Sequence, residues 1–296
     1  MCSLGDKPAA LTGLAAWSRP GLEPTLKHLL RALFLLLLIT PIQATAAEPL
    51  YDGHIHYSAN AHAEVPPERA LALLEEAGIT RAMVSSTPDD GTLALYRLDP
   101  ERIVPVLRPY RNRGDMSGWH RDPEVIAYIE ARLAATDAYR GLGEFHVDAA
   151  DVGSPEMARL IDLARPHRLF LHVHTDGAGI EALIAVAPGV RILWAHAGLG
   201  EPVTTVDAVL SRHPGLMADL SYRYGDILRG SALDPAWHDL LRRHADRFLL
   251  ASDTWAPSRW PQLPASTTQA RAIRTTLAAG VAAKLAHGNF EALLAR

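Results

Sequence analysis

The sequence holds a single cysteine, Cys2, in 296 residues. That scarcity excludes an internal disulfide framework and any cysteine-based zinc site. Aromatic residues are few, at 6%, while Ala and Leu abound, which favours a helix-rich α/β domain over an all-β sandwich. Excess positive charge is also missing. The net charge of −4 leaves no basic surface to draw the chain to nucleic acid. At 48% hydrophobic and 21% charged, the composition is neither that of a disordered tail nor that of a linker, and it supplies a sizeable core. What the sequence does have in excess is histidine, with fourteen.

Near the N-terminus, Lys27 and Arg31 precede an unbroken apolar run over residues 32–39, and Ala44-Thr45-Ala46 follows shortly after. A positive segment, a short apolar stretch and a small-x-small site together predict a cleavable secretory signal over residues 1–46. The apolar run is well short of the ~20 residues that a membrane-spanning helix needs. A buried or membrane-anchoring N-terminal helix is the alternative. Removing the leader takes away Lys7, Arg19, Lys27, Arg31, Asp6 and Glu23, which leaves a mature net charge of −6 and no cysteine. The expectation is an exported protein, periplasmic in a Gram-negative source, with no stable membrane anchor after cleavage. Its expected partner is a small-molecule substrate rather than nucleic acid, and a homodimer is a modest expectation from fold alone.

From residue 47 onward, about 250 residues remain, the size of one eight-stranded α/β barrel. Short apolar runs at 50–56, 79–86, 102–110, 139–147, 169–175, 190–197, 215–221 and 248–254 read as buried parallel strands. Between them, 66–76, 123–135, 155–164, 180–187, 202–213 and 235–245 read as helices, several with Pro in the first turn. The connection from Pro88 to Pro100 carries the weakest helical pattern of the set. Eight strands alternating with helices predict a (β/α)8 TIM-type barrel over 47–296. An open doubly wound sheet would want a Gly-rich phosphate turn after its first strand, and Asp52-Gly53-His54-Ile55-His56 is not one.

In such a barrel the active site lies at the C-terminal ends of the strands. Side chains two apart on a strand share a face, so His54 and His56 both point into the lumen. Strand 4 ends with Glu144 and His146, strand 5 with His172 and His174, strand 6 with His196, and strand 8 with Asp253. Burying so many imidazoles and carboxylates without a partner would cost several kcal/mol each. A divalent cation removes that cost by serving as the common partner.

These residues resemble the amidohydrolase superfamily of metal-dependent hydrolases, in particular its amidohydrolase-related branch. Asp52-Gly53-His54-Ile55-His56, His174, His196 and Ser252-Asp253 carry the likeness, and residues 287–294 resemble the final helix of that branch. The resemblance implies a ligand set of His54, His56, His174, His196 and Asp253, with Glu144 in the place of a carboxylate that bridges two metals. It also implies that Asp253 shuttles the proton from attacking water to the leaving group. His146 is an alternative ligand in place of Glu144, or a substrate contact. His172 lies one layer deeper and hydrogen-bonds a ligand or belongs to the core. The other histidines, His28, His62, His120, His167, His213, His238, His244 and His287, are expected to be solvated or helix-capping.

Nitrogen and oxygen donors without thiolate suit Zn2+, with Mn2+ or Fe2+ as further candidates, one ion or two. Such an ion acidifies water and polarises a carbonyl or phosphoryl oxygen. Arg108 is a candidate partner for a substrate carboxylate or phosphate, or else a structural ion pair with a neighbouring loop. Trp255 walls the pocket or packs. Tyr222 and Arg223 are placed similarly, and Asp219 faces either the lumen or the helices. The leading function is hydrolysis of an amide, ester or lactone. The alternatives are a single-metal non-oxidative decarboxylase, a phosphoesterase and a periplasmic metal-binding protein without catalysis.

Overall fold

Period-two packing, with successive residues facing the lumen and the helices in turn, organises the strands. In the computed structural model, which describes residues 48–230 and 232–295, β5 (Phe170–His174) alternates strictly. Phe170 packs in a lumen cluster, while Leu171 and Val173 pack outward under the helices. In β1 (Leu50–His56), Ile55 likewise packs outward, among helix residues. The leader expected over 1–46 lies outside the described residues, apart from which no described helix is long and apolar enough to cross a membrane.

The remaining strands of the eight-stranded sheet are β2 (Ile79–Ser85), β3 (Ile103–Leu107), β4 (Gly141–His146), β6 (Ile192–Trp194), β7 (Met217–Asp219) and β8 (Phe248–Leu249). All pair in parallel and in sequence order from β1 to β8. Eight helices follow the eight strands: α1 (Pro67–Glu76), α2 (Asp90–Leu98), α3 (Pro123–Ala135), α4 (Pro155–Ala164), α5 (Gly177–Val186), α6 (Val203–Arg212), α7 (Pro235–Arg243) and α8 (Leu263–Thr276). Two hydrogen bonds stitch the last seam: Gly53 N–H donates to the Leu250 carbonyl at 2.9 Å, and Asp253 N–H to that of His54 at 2.7 Å. A Cβ on Gly53 would stand 3.1 Å from the Leu249 side chain, so glycine lets the two strands approach. The sheet is thus a nearly closed (β/α)8 barrel and not an open one.

Helix starts follow local chemistry. Pro stands at the first position of α1, α3, α4 and α7, where its missing N–H costs nothing. Asp122, Ser154, Asp176 and Asp234 cap α3, α4, α5 and α7 by accepting from first-turn N–H groups, each worth about 0.5–2 kcal/mol. The Asp176 cap starts α5 three residues before the expected 180. The weak 88–100 connection is helical as α2. At the barrel floor, Asn289 donates to the Ala245 and Phe248 carbonyls at 2.8 Å each, and Phe290 joins the lumen cluster with Met83, Val104, Val106, Leu193 and Met217.

Three strands are much shorter than expected. The predicted 190–197, 215–221 and 248–254 stop at Trp194, Asp219 and Leu249. His196, Tyr222 and Asp253 take positive φ (57°, 61° and 53°), which turns the chain out of the sheet. His196 and Asp253 therefore sit on turns beyond strand ends, not in strands.

Candidate metal centre

Glu144 occupies the middle of the site and is placed there by Gly143. The Gly143 φ of 132° is open chiefly to glycine, and a Cβ there would lie 2.1 Å from the His172 carbonyl oxygen. The β4–β5 register slips at this point, between Gly143 and Phe145. Phe145 stays in the outer core and the Glu144 carboxylate turns into the lumen. One oxygen, Oε2, lies 3.1 Å from His56 Nε2 and 3.4 Å from His54 Nε2. The other, Oε1, lies 2.9 Å from His174 Nδ1 and 3.3 Å from His196 Nε2. Asp253 completes the ring, with Oδ1 3.5 Å from His56 Nε2 and Oδ2 4.0 Å from His196 Nε2. All six expected ligands converge.

The hydrogen bonds behind the imidazoles settle which nitrogen faces the centre. His56 Nδ1 lies 3.2 Å from the Ser85 carbonyl and 2.9 Å from Ser85 Oγ. His196 Nδ1 stands in the same relation to Ser221, at 3.2 and 2.8 Å. A carbonyl can only accept, so both Nδ1 atoms donate and both Nε2 lone pairs face inward. His54 Nδ1 faces Asp219 Oδ2 at 3.2 Å, a carboxylate that accepts. His54 Nε2 then meets His56 Nε2 at 3.0 Å. Two lone pairs at that distance repel unless a cation or proton lies against them. Tetrahedral zinc with ~2.0 Å bonds would space its ligands by about 3.3 Å, close to these separations. Asp253 Oδ1, buried, has no hydrogen-bond partner. This set of acceptors, with one buried oxygen left over, fits a divalent cation.

The electrostatics agree. Burial opposes a charge on His54, but Glu144, Asp219 and Asp253 outweigh it and hold the imidazole well above its usual range. His56 goes the other way: burial, reinforced by the Arg108 charge, depresses it to about 4. Burial would also favour protonated Glu144 and Asp219, yet the charge on His54 and the surrounding imidazole hydrogen bonds keep both well below the usual carboxylate range. Burial pushes Asp52 up to about 6, although it accepts from the His54 and Ser252 N–H groups. Without a metal, the excess proton sits on His54, where a cation's charge would otherwise be felt.

Other expected residues divide. Arg108 is buried and bonds to β4, not to a loop: Nε donates to the Glu144 carbonyl at 2.9 Å and Nη2 reaches Oε2 at 3.3 Å. His146 is half-buried, its ring 4.3 Å from that of His174 and its Nε2 3.8 Å from Glu144. Tyr222 and Trp255 are exposed at the mouth, and the Trp255 indole N–H donates to the Tyr222 hydroxyl. Arg223 is no substrate contact. It is buried and donates to the carbonyls of His196, Ala197, Gly198 and Glu201, holding the His196 turn in place. His172 lies behind the ligands, its Nε2 3.0 Å from Asp219 Oδ2. Contrary to expectation, His120 is buried, 3.3 Å from Asp151, in the short turn Trp119–Arg121 beside the buried Trp119 ring.

Sequence reasoning left the orientation of Asp219 open, which the structure resolves toward the lumen, and missed the parts played by Ser85 and Ser221. Asp219-Leu220-Ser221 repeats the i, i+2 spacing of His54 and His56 at the end of an apolar run, and that was the available signal. Above the centre opens a cavity of about 640 Å3, lined by His56, Glu144, His174, His196 and Asp253 on its floor and by Arg108, His146, Tyr222 and Trp255 on its walls.

No protein-family model matches the sequence, and no curated protein matches it significantly. Solved structures share the fold. One, from Pseudomonas putida and provisionally assigned as a 2-pyrone-4,6-dicarboxylic acid hydrolase, is 17% identical, with a TM-score of 0.58 over 84% of this chain and 98% of its own. A second of the same assignment, from Acinetobacter baumannii with citric acid bound, is 11% identical, with a TM-score of 0.57 over 84% and 100%. An amidohydrolase from Burkholderia multivorans with bound HEPES is 16% identical, with a TM-score of 0.54 over 83% and 99%. At these identities the likeness is one of fold, and it accords with the resemblance drawn from the strand-end histidines.

Proposed function

We propose that the chain is a metal-dependent hydrolase of the amidohydrolase superfamily that cleaves an amide, ester or lactone bond of a small molecule. The observation that carries this reading is the inward aim of the Nε2 atoms of His54, His56 and His196 around the two oxygens of Glu144. His54, His56 and Asp253 on one side of Glu144, and His174 and His196 on the other, would hold one or two divalent cations, Zn2+ first by donor type and Mn2+ or Fe2+ next. Bound there, the metal supplies Lewis-acid polarisation of the scissile carbonyl and acidifies water.

The chain's own groups do the rest. Asp253 offers two carboxylate oxygens, so that with one toward the cation the other would take a proton from attacking water and return it to the leaving group. Arg108 fixes the Glu144 carboxylate from behind. Asp219, Ser85 and Ser221 hold three imidazoles in the tautomer that aims Nε2 at the centre. A non-oxidative decarboxylase would want Glu144 away from the ligands, and its place between them weighs against that alternative. The same reading takes residues 1–46 as an export leader, on their charge and apolar pattern.

Metal analysis of the purified protein tests the proposal. One or two equivalents of divalent metal are expected, with esterase, lactonase or amidase activity lost on chelation and restored by zinc or manganese. Less than one equivalent, with no restoration, would overturn it.

A further inference from the structure

Among the described residues, five large apolar side chains are exposed, and three of them line the cavity over the metal centre: Trp255 at 53%, Leu199 at 51% and Tyr222 at 39%. Such clustering is not the scatter of single apolar residues expected on a soluble surface. Met116 adds to the same lining. The aromatic pair is also braced. The Arg259 guanidinium lies 4.4 Å over the Tyr222 ring, and it is itself anchored by donating to the carbonyls of Asp253 at 2.6 Å and Ser252 at 2.9 Å. Tyr222 meets the His196 ring edge-on at 5.7 Å and accepts from the Trp255 indole. Its positive φ of 61° is uncommon for a bulky residue. An exposed aromatic held by these contacts presents a fixed flat face to whatever enters.

Two of the three arginines in the lining are already engaged by carboxylates. Arg108 pairs with Glu144, as described. Arg111 is shared among Asp115 at 3.0 Å, Asp122 at 2.5 Å and Glu124 at 3.1 Å. Arg113 stands exposed at the rim, where water screens its charge. A substrate with two carboxylates would therefore meet guanidinium groups already paired with Glu144, Asp115, Asp122 and Glu124, whereas an uncharged aryl group gives up no hydrogen bond on entering.

We propose that Tyr222 and Trp255 form a stacking platform that selects substrates bearing an uncharged aryl group close to the scissile bond, in preference to dianionic ones. The inference rests on the hydrolase reading of the site. Its test is a binding measurement, so the two can fail separately. Isothermal titration of the chelator-treated protein, so that no cation ligates a carboxylate, would compare 4-phenylbutan-2-one, an uncharged ketone that mimics a benzyl ester, with phenylsuccinate, its dianionic counterpart. The ketone is expected to bind more tightly. Trp255→Ala should weaken ketone binding about 3- to 10-fold, the range of a stacking contact, and Trp255→Phe should recover most of it. Tighter binding of phenylsuccinate, no measurable binding of the ketone, or an unchanged affinity in Trp255→Ala would overturn the inference. Absence of metal-dependent turnover, with ketone binding intact, would remove the hydrolase reading and leave the platform standing.

Discussion

Asp219 Oδ2 lies 3.2 Å from His54 Nδ1, and both side chains are buried. The same oxygen is 3.0 Å from His172 Nε2, and Asp219 Oδ1 accepts from the Ser221 N–H at 3.0 Å and from the Ser221 hydroxyl. One carboxylate thus orients His54 directly and, through Ser221, supports the group that orients His196.

Asp219→Asn is therefore expected to lower metal affinity about 10- to 100-fold while the barrel stays folded. Competition with a chromophoric chelator reads the affinity, and circular dichroism reads the fold. A purely structural role for Asp219 would lower the melting temperature and leave the chelator competition of the folded fraction unchanged.

Metal and proton compete for His54. Its protonation constant is raised, so the metal-free imidazole is charged at neutral pH, and binding must expel that proton. Apparent metal affinity should fall by about tenfold per pH unit below the raised value, and more steeply near pH 4, where His56 also takes a proton. Calorimetry at pH 7 in buffers of different ionisation enthalpy should count at least one proton released per metal bound. For the metal-free protein the sign follows the raised constant: this stabilisation is complete below the ordinary imidazole value and is lost as pH rises through the folded one. Thermal melts of chelated protein across that range would show the loss.

Asp253→Asn keeps an oxygen near the centre but no basic carboxylate. Turnover is expected to fall by about 10²- to 10⁴-fold, the usual reach of general acid–base catalysis, with metal content largely retained. Kinetics beside elemental analysis of the same preparation check it. Turnover at the wild-type rate would remove Asp253 from the proton path.

Gly143→Ala puts a methyl group 2.1 Å from the His172 carbonyl oxygen in a backbone region that L-residues rarely adopt. We expect a loss of about 1–3 kcal/mol in denaturant unfolding. Metal binding should weaken as well, because the same strain moves Glu144 off the centre. A variant as stable as the parent would show that β4 has another route through this bulge.

Much of this architecture was legible because its causes are local. Alternation around Ile55 and Val173 follows from strand geometry, so the inward aim of His54, His56, His172 and His174 could be read from spacing alone. Proline and cap residues mark the starts of α3 and α4 for equally local reasons. His196 and Asp253 were legible as residues but not as positions. Their left-handed turns are imposed by neighbours, such as Arg223 gathering the carbonyls around His196, and no strand pattern reveals that.

The identity and order of the groups that meet at the barrel mouth are thus written along the chain, as is the eightfold alternation that carries them. Which nitrogen each imidazole presents was decided only when β2 and β7 brought Ser85, Asp219 and Ser221 alongside, since those partners are 25 to 165 residues away. Likewise, sequence alone left Arg108 open to a substrate or a structural pair, and folding chose Glu144. Periodicity acts over a few residues, whereas hydrogen-bond partners and buried charges are settled by whichever distant strand packs beside them.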